Sequence, residues 1–426
     1  MSHRHRSLIA AVLVTAIGAF QAGCASRDPT MPSKLVPVPP DSALRALPRE
    51  CTAAERGVLA AANTFSFDLW HAINDSSRGA NIFVSPLSVS FALGMTLNGA
   101  NGPTYDEMRS ALRFGGASLT SIDSGYMSLI ALLRGLDPST TMQIANAIFY
   151  RAGFPFKQSF LGDASTFFGA QVAADNFDDQ TATLSAVNGW ANDETHGRIP
   201  SVLDRVDPAA VMYLLNAIYF KGTWRTRFDS TLTQSAPFHA SNGDQTARLM
   251  HRAGNIPYAE TNTFQAVDLP YGDSAFTMTV LLPKPGISVE SVAGGLTPEG
   301  WQPLTADFHA RDIDLYLPKF SMSWKRGLIP DMQTLGMRLA FTDTADFTGM
   351  SPLGRQLLIS LLQQNSFVTV DEAGTEAGAV TTVGISVTSV QVPTVMRVDR
   401  PFVFVIRERL SGTVLFMGKI VQMPPT

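Results

Sequence analysis

The chain has 426 residues, of which 45% are hydrophobic and 16% charged, and its formal net charge is −4. That is enough apolar material for one large core or two ordinary domains, and with no basic block beyond His3-Arg4-His5-Arg6 it argues against nucleic acid as a partner. Cys24 and Cys51 are the only cysteines, which excludes a disulfide framework.

From the N-terminus, His-Arg-His-Arg is a positive region and Leu8 to Phe20 a short apolar one, too brief to span a bilayer. Residues 1–23 therefore read as a signal peptide. Gln21-Ala22-Gly23-Cys24 is similar to a bacterial lipobox, in which cleavage leaves Cys24 as a lipidated N-terminus. Gln21 stands where that pattern prefers Leu, and ordinary signal cleavage near Ala25 is the alternative. Ala25 to Arg49 carries six prolines, the composition of an extended, semi-rigid spacer. Residues 24–51 are thus read as a lipid-anchor site and Pro-rich tether, on an exported protein that is either held at the cell envelope or secreted. With Cys24 acylated, Cys51 is a leftover thiol; without it, a Cys24–Cys51 bridge would staple only the tail.

The folded body is expected over residues 52–426. Thr52-Ala53-Ala54-Glu55 has the spacing of a capping box, and Val58, Ala62, Phe65, Leu69 and Ile73 then share one helical face. A second helix opens at Ser85-Pro86 and ends near Asn98-Gly99. Met142 to Tyr150 and Val211 to Phe220 read as buried strands, followed by Phe276 to Leu282 and Ile313 to Leu317. Pro401 to Ile406 and Val414 to Val421, joined by a turn at Ser411-Gly412, read as a hairpin. Helices come first and strands dominate later, an α+β arrangement, with no internal repeat.

Familiar catalytic motifs are missing: there is no Gly-x-Ser-x-Gly elbow, His-Glu-x-x-His, Walker A loop, Gly-x-Gly-x-x-Gly or Cys-x-x-Cys. His71, His196, His239, His251 and His309 do not pair at ligand spacing, so no metal site is expected and each reads as a structural residue. Asp178-Asp179 reads as a solvated loop pair. A triad assembled from scattered residues stays open as an alternative.

One stretch fits none of these readings. Val370 to Pro393, VDEAGTEAGAVTTVGISVTSVQVP, is β-branched and uncharged in its second half, as a strand would be, yet Gly374, Gly378 and Gly384 interrupt it. Left exposed, such a segment invites aggregation. Around it stand NIFVSPLS (Asn81 to Ser88), Asn188-Gly189-Trp190 followed by Thr195-His196-Gly197-Arg198-Ile199, LNAIYFKGTW (Leu215 to Trp224), VDEAGTEA (Val370 to Ala377), and DRPFVF (Asp399 to Phe404) with LFMGK (Leu415 to Lys419). In this order, over Thr52 to Met423, they resemble the serpin family of serine-protease inhibitors.

The resemblance implies helices packed on a large central β-sheet, further β-sheets, and an exposed reactive-centre loop at about 372–393. A protease takes that loop as substrate, and after acylation the loop's first half enters the central sheet as an extra strand and drags the protease along. The residues fit such an insertion on their own terms. With period two, one face carries Thr375, Ala377, Ala379, Thr381, Val383 and Ile385, all uncharged, and the other carries Glu376, Gly378, Val380, Thr382, Gly384 and Ser386. As a strand, this segment would reach roughly 40 Å.

By the same resemblance the hinge is Glu372, Gly374, Thr375, Glu376, Ala377, Gly378 and Ala379, whose small inward residues suit an inhibitor. The reactive bond falls at Thr388–Ser389, with Val387 and Val390 as alternatives depending on the end from which the loop is counted. No Lys or Arg lies between Glu376 and Arg397, which suits an elastase-, subtilisin- or chymotrypsin-like pocket rather than one built for a cation. Ser85, Ser88, Asn188 and Gln364 match the shutter under the strands that part. Gln364 stands where the family often has His, so pH sensitivity of that kind is not expected. Trp224 and Lys319 match the breach where insertion begins, with Lys319 pairing Glu372. The segment at about Ile122 to Leu136 holds Arg134 as its one base, so no heparin-type cofactor is expected.

The expectation is a monomeric inhibitor, not an enzyme, consumed in a 1:1 covalent complex with a serine protease, or with a cysteine protease through a thioester. No cofactor is expected, and membrane contact would come only through the lipid anchor. The alternatives are a non-inhibitory relative acting as a binding module and an exported hydrolase with a dispersed triad.

Overall fold

In the computed structural model, which describes residues 43–375 and 393–425, helix α1 (Ala53–Ser76) begins at the capping signal. Thr52 accepts from the Glu55 amide, and the Glu55 carboxylate accepts from the Thr52 amide. Val58, Ala62, Phe65, Leu69 and Ile73 are all buried. After strand β1 (Ile82–Val84), Ser85 caps α2 (Pro86–Leu97), of which every residue except Ala92 is buried. A helix so enclosed needs no polar face, which is why its sequence is apolar without being amphipathic. Helices α3 (Gly102–Ala111), α4 (Leu119–Gly135) and α5 (Gln158–Phe168) complete this side.

The remaining strands are β2 (Thr140–Arg151), β3 (Gln171–Asp175), β4 (Met212–Thr223), β5 (Gln234–Ala240), β6 (Gly243–Glu260), β7 (Phe264–Pro270), β8 (Phe276–Pro283), β9 (His309–Gly327), β10 (Gln363–Val370), β11 (Gly374–Thr375), β12 (Thr394–Arg397), β13 (Phe402–Glu408) and β14 (Val414–Ile420). Helix α6 (Gln180–Glu194) lies between β3 and β4 in the chain, and α7 (Val289–Gly294), α8 (Pro298–Ala306) and α9 (Ile329–Thr334) flank β9.

Two sheets share β9. Its first part pairs with β6 and β12, and from Phe320 onward it pairs with β10. The order is β9-β10-β11-β4-β2-β3 in one sheet and β1-β14-β13-β8-β7-β6-β9 in the other, with β5 added on β6. The sequence reading saw only Ile313 to Leu317 of this long strand, and the burial pattern explains why. Ile313, Leu315 and Leu317 are buried, but from Pro318, two residues before the change of sheet, the buried set becomes Pro318, Phe320 and Met322. The alternation slips by one residue, and a period-two reading ends there. The hairpin of β13 and β14 is as read from sequence. The main core lies between the helices and the two sheets, and a second cluster that includes Val187, Trp190, Tyr213 and Ala217 fills the space between α6 and strands β2 and β4.

The tether is shorter than its composition implies. Leu44 and Leu47 pack against the core, the Leu44 amide donates to the Asp273 carbonyl at 2.6 Å, and Arg409 Nη2 donates to the Leu44 carbonyl at 2.5 Å. Arg49 grips the buried Glu55 carboxylate with both terminal nitrogens, at 2.6 and 2.7 Å, and reaches Ser128 Oγ at 3.0 Å. Residues 43–51 therefore belong to the body, because an Arg fork and two leucines give them a docking site that proline content does not reveal.

Hydrogen bonds from Arg49, joined by the Thr52 amide, outweigh burial and hold Glu55 at about 2, below its ordinary 4.5. The stability this lends is present above pH 4.5 and is lost as pH falls toward 2. Arg49→Ala is expected to lower the melting temperature at pH 7 by the equivalent of about 1 kcal/mol, since solvent screens the exposed Arg49. Its melting curve should converge on that of the parent near pH 2, and an equal gap at both pH values would overturn the assignment.

Candidate functional site

The chain leaves β10 through a tight, hydrogen-bonded turn. Asp371 Oδ1 accepts from the Ala373 and Gly374 amides at 2.9 and 3.1 Å, and the Asp371 amide donates to the Gly374 carbonyl at 2.9 Å. Trp224 fastens the turn from β4's end: Nε1 donates to the Asp371 carbonyl at 2.8 Å and the backbone amide to the Ala373 carbonyl at 2.9 Å. Glu372 sits between Lys319 Nζ at 2.7 Å and Thr233 Oγ1 at 2.8 Å. Burial alone would raise its carboxyl, but the hydrogen bonds from Lys319 and Thr233 outweigh burial and hold it below the usual range. Asp371 is pushed the other way, because burial exceeds the help of its two backbone amides.

Beyond this turn the chain becomes β11, wedged between two strands. Thr375 pairs with Val370 of β10 on one side and with Gly222 of β4 on the other, antiparallel to both. Its side chain points inward, and Thr375 Oγ1 lies 2.8 Å from the buried Tyr271 hydroxyl. Tyr271 stacks on Trp224 with ring centroids 4.5 Å apart. Two glycines make the fit possible. A Cβ on Gly374 would lie 2.1 Å from the Gly222 carbonyl oxygen, and one on Gly222 would lie 2.6 Å from the Tyr271 ring.

Past Thr375, β4 and β10 are not paired with each other among the described residues: β4 bonds to β2 on its far side, and β10 to β9 on its far side. A slot therefore runs down the sheet. A cavity of about 380 Å³ occupies its lower part, lined by Leu214 and Asn216 of β4, Gln364 of β10, Val89 and Leu93 of α2, and Ile199 and Leu203 above. A smaller cavity between Ile218 to Phe220 and Phe367 to Thr369 continues it toward Thr375.

A buried polar cluster forms the slot floor. Gln364 Oε1 accepts from the Ser85 amide at 3.2 Å, and its Nε2 donates to the Ser85 carbonyl at 2.9 Å. Ser85 Oγ donates to the Leu415 carbonyl at 2.8 Å and accepts from the Ser88 amide. Ser88 Oγ donates to Asn216 Oδ1, and Asn216 Nδ2 donates to Asn146 Oδ1 at 2.6 Å. Each of these members is a hydroxyl or an amide, so none gains or loses charge near neutral pH.

Ser85, Ser88 and Gln364 thus come together as the sequence reading has them, but Asn188 does not join them. It lies on α6, across the sheet, where Oδ1 accepts from the Val202 and Leu203 amides and Nδ2 donates to the Leu203 carbonyl, each at 2.9 Å. The asparagine that completes the cluster is Asn216. Its signal was a lone polar residue between Leu215 and Ala217 in an apolar strand. Tyr271 and Thr233 carried no local signal, since they reach the hinge from distant turns. Glu376, Ala377, Gly378 and Ala379 of the hinge, the bond at Thr388–Ser389 with its alternatives Val387 and Val390, and Cys24 all lie outside the described residues. Asp178 and Asp179 are exposed, as read, and in addition Asp179 caps α6 and Asp178 pairs with Arg151 at 2.6 Å.

Comparison with known proteins agrees with this geometry. The family model described as Serpin (serine protease inhibitor) matches residues 60–423. The leukocyte elastase inhibitor of Sus scrofa is 34% identical over 380 residues, covering 85% of this chain and 98% of its own length. An uncharacterized serpin-like protein of Thermococcus kodakarensis is 31% identical, covering 86% of each. Among solved structures, the thermophilic serpin tengpin in its native state is 29% identical with a TM-score of 0.77, covering 85% of this chain and 94% of its own. Human thyroxine-binding globulin complexed with its hormone is 26% identical with a TM-score of 0.79, covering 88% of this chain and all of its own.

Asn216→Ala is expected to leave buried Asn146 and Ser88 short of a partner and to cost about 1–3 kcal/mol. Asn188→Ala, on the partly exposed side of the sheet, should cost less. Thermal unfolding of both variants checks the order, and the reverse ranking would overturn the placement of Asn216 in the cluster.

Proposed function

The chain belongs to the serpin family, and from that premise we propose that it is a suicide-substrate inhibitor of serine endopeptidases. The observation that carries this reading is the slot between β4 and β10, already entered at one end by Gly374 and Thr375. Two sheet edges whose backbone groups have no strand partner in the slot among the described residues favour a strand between them. Continuing the register of Thr375 would set Ala377 between Phe220 and Val368, Ala379 between Ile218 and Ser366, and Thr381 between Asn216 and Gln364. The inward positions are small or hydroxylated, matching an apolar cavity with a polar floor.

In the chemical step the protease's serine oxygen attacks the Thr388 carbonyl, the bond to Ser389 breaks, and the Ser389 amine leaves with the proton. Thr388 is then held as an acyl ester. Insertion of the strand carries that ester roughly 40 Å along the sheet before water can complete the hydrolysis. The uncharged loop supports an elastase-, subtilisin- or chymotrypsin-like target, and the similarity to a leukocyte elastase inhibitor points the same way. The N-terminal signal-like region and Cys24 support export with attachment through a lipid. The likeness to thyroxine-binding globulin favours a second reading, a carrier or binding protein on the same fold.

Mixing the whole chain with pancreatic elastase, subtilisin, chymotrypsin and trypsin, followed by a denaturing gel, separates the two. A band at the summed mass with one of the first three, and a released peptide beginning at Ser389, is expected. Complete loop cleavage with no such band and no rise in melting temperature would overturn inhibition and leave the binding reading.

A further inference from the structure

A carboxylate taken out of water needs compensation, because burial disfavours its charged form. Six carboxylates are buried among the described residues, and five of them are matched. Arg49 grips Glu55, Arg407 pairs with Asp268 and Arg326 with Asp331, while Asp137 and Glu408 each accept from two backbone amides. Asp123 of α4 is the exception. It is 3% exposed and accepts one hydrogen bond, from the neutral amide of Asn98 at the end of α2, at 2.8 Å.

No cation bears on Asp123 among the described residues, and the one charge that does, Asp163 of α5, is negative. From α2 comes Asn98, whose Nδ2 is shared with the Gly94 carbonyl at 3.2 Å. From α1, Ala54 and Val58 close on the neighbouring Gly125, and Glu55 is taken up by Arg49. Within α4, Tyr126 turns its hydroxyl to Ser90 of α2, and Arg134 lies at the far end of the helix, where it donates to the Ile144 carbonyl of β2. Burial pushes the Asp123 carboxyl up to about 6 from its ordinary 3.8; the Asn98 hydrogen bond offsets part of this, and Asp163 adds to it.

We propose that Asp123 is a pH-sensing residue: charged at neutrality it loosens the seat of α4 on α2 and α5, and protonated in mild acid it locks that seat. A carboxyl raised in the folded state lends its stability fully below 3.8, and that contribution is lost as pH rises through about 6. Glu55 has the opposite sign, and the Arg49 that grips it also reaches Ser128 of α4. Helix α4 is therefore held most firmly between about 4.5 and 6, where Glu55 is still charged and Asp123 is becoming neutral. The device belongs to the native fold and does not depend on the loop.

The test is urea unfolding of the whole chain at about pH 7.5 and about pH 5, parent against Asp123→Asn, which keeps the side-chain shape but cannot ionise. Histidines titrate in the same window, so the difference between the two proteins is the quantity read. On going to the lower pH, the parent's unfolding constant is expected to fall about tenfold relative to the variant. The variant should be the more stable protein at the higher pH. Asp163→Asn, which removes the neighbouring charge, should move the midpoint of the change to lower pH. Amide exchange along α4, corrected for its intrinsic pH dependence, should slow at the lower pH in the parent and not in Asp123→Asn. A difference between parent and Asp123→Asn that stays constant with pH would make the residue merely structural and overturn the proposal. A pH profile unmoved by Asp163→Asn would overturn it as well, which keeps the test decisive if Asp123→Asn does not fold.

Discussion

A β-sheet is stable because each strand satisfies its neighbour's backbone, and among the described residues that condition is met along β9-β10 and β4-β2 but, past Thr375, not between β10 and β4. Backbone amides and carbonyls facing a gap are a standing demand for a partner. Helix α2 lines the floor of the gap, the span after α6 covers it, and Gly374 and Thr375 occupy its upper end.

The plug depends on geometry from four separate parts of the chain. Lys319 comes from the point where β9 changes sheets, Thr233 from a turn before β5, Trp224 from the end of β4, and Tyr271 from the β7–β8 turn. Together they hold Asp371 to Thr375 in one conformation at the upper end of the gap. Glu372 is anchored by charge and Thr375 by a neutral hydroxyl. The floor cluster has a different character. It is made of amides and hydroxyls, which pair strongly when complete and are costly to break, and it has no imidazole to switch it with pH.

Several local features were readable in advance because their causes are local. Thr52 and Glu55 make a capping box three residues apart, and Ser85 and Pro86 start a helix. The motifs in their order identified the family and, through it, the α+β fold. Where the reading failed, the cause lay in something a period cannot express. β9 looked short since its alternation slips at Leu317-Pro318 where it changes partners. Residues 43–51 looked like spacer because proline content says nothing about an Arg fork meeting Glu55.

Asn188 and Asn216 show the division most clearly. Both stand in recognisable motifs and both are asparagines beside apolar neighbours, so sequence alone ranks neither. The register of β4 against β2 turns Asn216 toward Asn146 and Ser88, and the placement of α6 on the outer face turns Asn188 toward Leu203. By itself the sequence determined which segments could be helix and strand, since capping and alternation act over a few residues. Only the tertiary structure decided the pairing of Lys319 with Glu372, the open slot and the span above it. Those depend on strand register and sheet order, which bring together residues with no neighbourhood in the chain.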